Sequence, residues 1–350
     1  MDRILVINPG STSFKLAIFE DEKKVVEENI SYSAELIASF KTFGDQYEMR
    51  RQTVMDFIER AGFRPEELTA VAARGAGFGP MKTGAYVINE ALEKACHTSV
   101  RHVSYLATVI AYELVKKYGI SGYIYDCQTA ITMEEYVRMS GIPQLTRIAG
   151  GHVLNSRAAG RKAAEQMGKD YESGTYIVAH LGGGCTISLH HDGQIVDTIG
   201  SDEGTFTPER AGRLPMRGFT KLCFSGEYSE QEVSRLFTGK GGFVAYLNTN
   251  DAREVARRLR KGDAEAMTVC KAMAYQIAKD IGAMYAVAGD HVDGIVLTGG
   301  LAYFDELMDM VLGYVSKLAL TFRFPGTFEM EALAYGVLRV LRGEEEAHSL

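Results

Sequence analysis

Three consecutive glycines, Gly182, Gly183 and Gly184, follow His180 and Leu181 directly and are the residues of this chain best suited to phosphate. Without a Cβ the backbone turns sharply and approaches phosphate oxygens closely, with its N–H groups aimed at them. A tight hairpin that binds nothing is the alternative reading of the same triplet. His180 is either an imidazole donor that offsets charge on a transferring phosphoryl group or a structural hydrogen-bonder. Arg74 follows the apolar run Leu68 to Ala73 and precedes Gly75. That is a costly place for a cation unless it meets an anion, whether ligand or structural carboxylate. Asn8 sits in the first turn, where its amide donates to phosphate, orients a metal-bound water or makes an Asx-turn. Asp126 ends a short apolar stretch, Gly122 to Tyr125, and a carboxylate at a strand's end is a common active-site placement. Phosphate chemistry at a domain interface is what these types share.

The elements that must position them alternate along the chain. Met1 to Glu20 reads as two strands joined by Asn8-Pro9-Gly10-Ser11-Thr12-Ser13, and Tyr176 to His190 repeats that design around the glycine triplet. Lys24 to Ser31 is a third strand of the opening meander. Helices are expected over Glu48 to Gly62, Ser99 to Tyr118, Asn155 to Met167 and Phe304 to Leu320, with strands at Leu68 to Ala73 and Val292 to Leu297. His190 and His191, beside Asp192-Gly193, read as solvent-facing. The strand-first, helix-later order in both halves suggests a diverged duplication. The triplet is not a Walker A loop, and a strand rather than a helix follows it, so a dinucleotide fingerprint and NAD are excluded.

With 350 residues, two domains of ordinary size are the natural expectation. A hydrophobic fraction of 46% supports real cores, and a formal charge of -7 with no basic stripe argues against nucleic acid. The five cysteines form no CxxC pair, which points to a reducing compartment and away from disulfides or structural zinc. No apolar stretch reaches membrane-spanning length, and Met1-Asp2-Arg3 leads straight into a strand, so no membrane association and a cytoplasmic location are expected.

The chain resembles the butyrate kinases of the acetate and propionate kinase family, within the sugar kinase, heat-shock ATPase and actin superfamily. The resemblance is carried nearly end to end by Asn8 to Ser13, Ala179 to Gly184, Phe206-Thr207-Pro208-Glu209-Arg210-Ala211-Gly212, Lys221 to Gly226, Gly239 to Gly242, Thr249 to Val255, Leu297-Thr298-Gly299-Gly300 and Glu329 to Ala334. It implies an α/β fold of two ribonuclease-H-like domains around an interdomain cleft that closes on substrate. The first domain would span 1–150, with a C-terminal helix over 330–350 packing back on it, and the nucleotide-binding domain 151–329. The implied reaction is reversible, direct in-line transfer of phosphate from ATP to a short-chain carboxylate, giving ADP and acyl phosphate with Mg2+ and no phosphoenzyme, in a homodimer.

The same resemblance assigns roles. Arg74, His180, Arg210 and Asp126 are catalytic, with Arg213 the alternate to Arg210. Asn8, the three glycines, Gly299 and Gly300 bind nucleotide. Asn8, Asp126 and Glu329 hold the metal, with Glu331 competing for the place of Glu329. Arg74, Phe78 and Pro208 bind the substrate. Ala76-Gly77-Phe78-Gly79-Pro80, Tyr125 to Ala130 and Gly150-Gly151-His152-Val153-Leu154-Asn155 depart from the butyrate kinase pattern, which leaves acyl chain length and branching open. A nucleotide-binding sensor of the same superfamily without carboxylate turnover is the alternative function.

Overall fold

The computed structural model describes every residue except 80, 99–102 and 290. Pro80, and Ser99 as the expected start of the long helix, lie outside the described residues. The helix itself is described over Ser104–Tyr118. The chain forms two compact units, Met1–Ile131 together with Phe328–Leu350, and Thr132–Thr327. Residues 132–150 cluster with the second unit. Arg147 ties them there, donating to Asp197 at 3.0 Å, to Glu203 at 2.9 Å and to the Thr198 carbonyl at 2.7 Å.

In the first unit, β1 (Arg3–Pro9), β2 (Ser13–Glu20) and β3 (Lys23–Ser31) make an antiparallel meander. With β4 (Ala70–Ala73), β5 (Ala85–Val87) and β6 (Ser121–Tyr125) they complete a six-stranded sheet of order β3-β2-β1-β4-β6-β5. β4 runs parallel to β1 with Ala73 opposite Ile7, and β6 runs parallel to β4 with Ile124 opposite Ala73. Ile4 to Ile7 and Ala70 to Ala73 are wholly buried. Such unbroken apolar runs belong to strands covered on both faces, and the helices Ser104–Tyr118 and Glu329–Leu341 pack against β1 and β4. Asn8, Arg74 and Asp126 therefore sit at the carboxyl ends of three adjacent parallel strands, the edge where open α/β sheets bind ligands.

The second unit repeats the plan. β7 (Thr175–Leu181), β8 (Cys185–His191) and β9 (Gln194–Ile199) form a meander, and β10 (Gly294–Gly299) and β11 (Thr321–Pro325) add parallel strands in the order β11-β10-β7-β8-β9. Three antiparallel strands followed by parallel ones on the side of the first strand is the shared pattern, and it supports duplication where residue identity alone does not. The helices Ala264–Val287 and Asp305–Val315 bury Ile277, Ile281, Leu307 and Val311 with Ile177, Ile187 and Leu297 of this sheet. Among the described residues no helix is long and apolar enough to cross a membrane.

Candidate active site

At the carboxyl edge of the first sheet, three side chains converge. The Asn8 Nδ2 donates to Glu329 Oε2 at 2.9 Å, and Arg74 Nη1 donates to Asn8 Oδ1 at 3.2 Å and to Glu329 Oε2 at 3.3 Å. Arg74 is placed by its strand, since its N–H continues the ladder to the Ile7 carbonyl at 2.9 Å. Glu329 opens the helix Glu329–Leu341, where a carboxylate is favoured by the helix dipole. Asn8 is buried, while Arg74 keeps 31% of its side chain exposed and so retains a face for an anion. Asp126 is also buried and lies one strand further along, in the left-handed region at φ 46°. Its Oδ1 accepts the Gly84 N–H at 2.8 Å and its own N–H donates to the Gly84 carbonyl at 3.1 Å. Glu331, the competitor of Glu329, pairs with Lys24 at 2.8 Å.

In the second unit His180 is the penultimate residue of β7, 5% exposed. The Asn155 Nδ2 donates to its Nδ1 at 2.9 Å and also reaches Thr298 Oγ1 at 3.3 Å. With Nδ1 accepting, the ring proton belongs on Nε2, and Nε2 lies 3.6 Å from where a Cβ on Gly182 would sit. A donor is thereby presented to the glycine turn. His152 stacks on His180 with ring centroids 3.9 Å apart and planes 6° apart, and its Nδ1 bonds Thr186 Oγ1 at 2.9 Å.

Arg210 is delivered to the same turn by Thr207, which is fully buried. The Thr207 hydroxyl donates to the Gly183 carbonyl at 2.8 Å and accepts the N–H groups of Glu209 at 3.3 Å and Arg210 at 3.0 Å. The guanidinium then covers Gly184, with Nη1 3.0 Å from the position a Cβ there would occupy. A Cβ there would press the guanidinium aside by a few tenths of an ångström. Nη1 donates to Ser201 Oγ at 2.9 Å, whereas the buried Nε has no partner and, among the described residues, no carboxylate pairs with the side chain. Arg213, the alternate, is engaged instead. It donates to Asp280 Oδ1 at 2.6 Å and to the Glu203 carbonyl at 2.9 Å.

Gly182, Gly183, Pro208, Glu209, Asn250, Ala252, Gly300 and Leu301 line a concavity of about 200 Å³. Pro208 thus stands with the glycine turn and Gly300. Gly299, at φ 90°, is required for another reason, because a Cβ there would meet the Leu181 carbonyl oxygen at 2.3 Å. Phe78 packs edge-on to Tyr105, centroids 5.3 Å apart, in a small apolar cluster with Ala76, Cys96 and Val109.

His190 corrects the expectation of a solvent-facing residue. It is fully buried on β8, while His191 is exposed. Tyr171 Oη lies 2.7 Å from its Nδ1 and Ser188 Oγ 2.7 Å from its Nε2. β8 is covered on both faces from Cys185 through His190, so His190 lies inside and only His191 reaches solvent. Burial, with the nearby positive charge of Arg157, pushes its pKa down to about 3 from 6.5. The unfolded chain therefore takes up a proton near pH 6.5 that the folded chain refuses until about pH 3. The contribution to stability is present above pH 6.5 and is lost as pH falls toward 3, at about 1.4 kcal/mol per pH unit. Urea midpoints between pH 7 and pH 5 should fall less in His190→Gln than in the parent chain. Equal slopes would overturn the assignment.

Sequence reasoning missed Asn155, His152, Thr207 and Ser201 as site residues. The first two lie in a run that drew notice only as a departure in pattern, and Thr207 only as part of a motif. Polar residues directly before and within the first turn of the helix Val153–Gln166 were the available signal.

A family model described as the Acetokinase family matches residues 122–316. The chain is 45% identical over 350 residues to a protein of Thermotoga petrophila named probable butyrate kinase, covering 99% of this chain and 98% of that one. It is 41% identical over 349 residues to butyrate kinase 2 of Clostridium acetobutylicum, with the same coverage of 99% and 98%. Among solved structures, acetate kinase of Porphyromonas gingivalis superposes with a TM-score of 0.80 at 19% identity, covering 97% of this chain and 100% of that one. A propionate kinase from Francisella tularensis gives a TM-score of 0.76 at 19% identity over 96% and 99%. At those identities the likeness to the solved structures is one of fold.

Proposed function

The chain belongs to the acetokinase family, and on that premise we propose that it transfers the γ-phosphoryl group of ATP to a short-chain carboxylate, reversibly and without a phosphoenzyme. One observation carries the reading: Arg210, whose buried Nε has no partner and which meets no carboxylate among the described residues, lies against the glycine turn. A cation so placed is ready for the oxygens of a transferring phosphoryl group. In the forward direction a carboxylate oxygen attacks the γ-phosphorus, an O–P bond forms, the bond to the β-phosphate oxygen breaks, and ADP leaves with the electron pair. No proton changes hands, so the protein's task is positioning and neutralisation of charge.

In this reading the N–H groups of Gly182 to Gly184 and the concavity beside Gly300 take the nucleotide, and His180 Nε2–H and Arg210 take the phosphoryl oxygens. Arg74 takes the substrate carboxylate, which must be freed from repulsion by phosphate before it can attack. Asn8 and Glu329 hold Arg74 in place and, with Asp126, are the oxygen donors suited to Mg2+. That ion keeps several waters and needs only one or two protein carboxylates, and among the described residues no group of three His, Cys, Asp or Glu side chains competes for it. Bound with the phosphates, Mg2+ supplies neutralisation of their charge. A homodimer in the cytoplasm is part of the same reading, and the exposed apolar side chains Tyr136, Met139, Leu145 and Ile148 on one stretch of the second unit support self-association.

The relatives named butyrate kinase favour a four-carbon acid, and the apolar cluster of Ala76, Phe78 and Tyr105 beside the Arg74-Gly75 turn supports an acyl chain there. With Mg2+ and ATP, acyl phosphate and ADP should form across acetate, propionate, butyrate, isobutyrate and valerate. Each methylene missing from the best substrate should cost about 1–3 kcal/mol, roughly 10- to 200-fold in kcat/KM. ADP binding with no turnover on any acid would leave a nucleotide sensor in place of an enzyme.

A further inference from the structure

Residues 343–350 take no part in the reaction proposed above, yet they are tied to the neighbours of Asp126 within the first unit. The helix Glu329–Leu341 ends in a closed cap at Gly343, φ 73°. The Gly343 N–H donates to the Val340 carbonyl at 3.1 Å and the Glu344 N–H to the Arg339 carbonyl at 2.8 Å. A left-handed glycine closing these two bonds turns the chain away from the helix axis, so the helix expected over 330–350 stops short. The chain then lies along the outer edge of β5, which β6 covers on one side only. His348 donates its N–H to the Ala85 carbonyl at 2.8 Å and accepts the Val87 N–H at 2.9 Å, in a parallel bridge to Tyr86. Asn89 Nδ2 adds a bond to Ser349 Oγ at 3.0 Å.

Glu345 stands where this segment meets the sheet. Its Oε2 accepts the Tyr125 hydroxyl at 2.8 Å and Arg339 Nε at 3.1 Å, and Arg339 Nη2 donates to the Tyr125 oxygen at 2.6 Å. Its Oε1 lies against Gly84, 2.8 Å from where a Cβ there would sit. One carboxylate thus touches both supports of Asp126. Tyr125, 2% exposed, precedes it in the chain, and Gly84 exchanges two backbone and side-chain bonds with it, at 2.8 and 3.1 Å. Asp126 itself is held at φ 46°, a conformation uncommon outside glycine that persists where the surroundings fix it.

We propose that Glu345 is a positioning residue for Asp126, clamping Tyr125 and the Gly84 corner, with His348 securing β5, so that the Asp126 carboxylate keeps a single orientation. That this carboxylate serves Mg2+ rests on the phosphotransferase reading, whereas the clamp does not. Glu345→Ala removes the acceptor of both Tyr125 and Arg339. The Mg2+ concentration giving half-maximal rate should rise about 10- to 100-fold, the usual loss when the support of a metal-binding carboxylate is removed. ADP affinity by calorimetry without Mg2+ should stay within about twofold, because the concavity beside the glycine turn lies in the second unit. Glu345→Gln, whose amide oxygen accepts both bonds, should recover most of the loss. A residue needed only for folding would lower the urea midpoint and leave the Mg2+ requirement unchanged.

Amide hydrogen exchange tests the clamp without metal or substrate. The Gly84 N–H, bound to Asp126 Oδ1, should be protected in the parent protein and exchange at least about ten-fold faster in Glu345→Ala, while the amides of β1 keep their protection. His348→Pro removes the donor to Ala85 and should release Gly84 in the same way, which carries the test where Glu345→Ala does not fold. An unprotected Gly84 in the parent protein overturns the proposal, and so does parent-like exchange in whichever variant folds. An active Glu345→Ala with the parent's Mg2+ requirement overturns it as well. A parent protein inactive on every acid, with Gly84 released in the variants, would sink the phosphotransferase reading and leave the clamp standing. An active parent protein with Gly84 unmoved in the variants would do the reverse.

Discussion

Replacing Arg210 by alanine is expected to lower kcat by about a hundred- to thousand-fold, the loss typical of removing one well-placed electrostatic partner, or roughly 2.7–4 kcal/mol of barrier. The KM for ATP should change by no more than about threefold. Charge spreads over the equatorial oxygens only as the phosphoryl group moves, so an arginine that meets them there strengthens its interaction in the transition state and not in the bound ground state. Its geometry fits that role. The side chain is anchored at one end by the Ser201 hydroxyl, held over Gly184, and otherwise unpaired. Nothing structural is therefore lost with it beyond one hydrogen bond.

Arg213 supplies the contrast. Its loss would leave Asp280, which is 1% exposed and whose pKa burial already raises, with the Thr205 N–H at 2.8 Å and the more distant charge of Lys279 for compensation. Arg213→Ala should accordingly destabilise the fold by about 1–3 kcal/mol with a much smaller effect on turnover. Steady-state kinetics with ATP varied, together with urea midpoints, separate the two residues. A fully active Arg210→Ala beside an inactive, stably folded Arg213→Ala would exchange their roles.

The framework of both units was legible because it is written in long apolar runs. Ile4 to Ile7, Phe14 to Phe19 and Tyr176 to Leu181 cannot be placed except in covered strands, and the helix ends at Gly62 and Gly119 carry their own stop signals, both at positive φ. What escaped was short or contradicted by its own residues. β5 has three residues, too few to show a period. β11 contains Arg323 and ends in Pro325, and it lies just past the helix expected over Phe304 to Leu320, which in fact stops at Val315, so no strand was expected there. Tertiary pairing decides that strand, with the Arg323 charge led out to Asp305 and the Ala302 carbonyl.

The site divides along the same line. Glycines and strand-end charges announce themselves by type and place, which is how Gly182 to Gly184, Arg74 and Asn8 could be singled out. The choices between Arg210 and Arg213 and between Glu329 and Glu331 could not be made that way. Each pair sits two or three residues apart, and it is their partners in the fold that differ. Arg213 meets Asp280 and Glu331 meets Lys24, whereas Arg210 lies over Gly184 and Glu329 meets Asn8 and Arg74. Residues that act by holding another side chain leave the weakest trace. Nothing in the type or spacing of Thr207 or Asn155 announces the contacts they make with Arg210 and His180.

Asn155 and His180 make a pair whose coupling can be measured. His180→Ala should lower kcat by about a hundred-fold or more, because it removes the Nε2–H donor facing the glycine turn. His180→Gln places an amide N–H at similar reach and should recover most of that loss. Asn155→Leu leaves the imidazole in place but removes the donor that keeps Nδ1 an acceptor, so the ring proton is free to move to Nδ1 and Nε2 then offers a lone pair to the phosphoryl oxygens. A loss of about ten-fold is expected, less than the roughly 10²–10⁴-fold of a lost acid–base group, because the imidazole stays in place and only its tautomer is released. If Asn155 acts through His180, Asn155→Leu should cost nothing further once His180 is alanine, and the double-mutant cycle will show a coupling of about 1.4 kcal/mol, the equivalent of that ten-fold factor. Additive losses would mean that Asn155 serves Thr298 and the strand ends instead. Near-full turnover in His180→Ala, accompanied by a lower urea midpoint, would reduce His180 to a packing partner of His152 and leave the arginines alone to carry the charge of the transferring group.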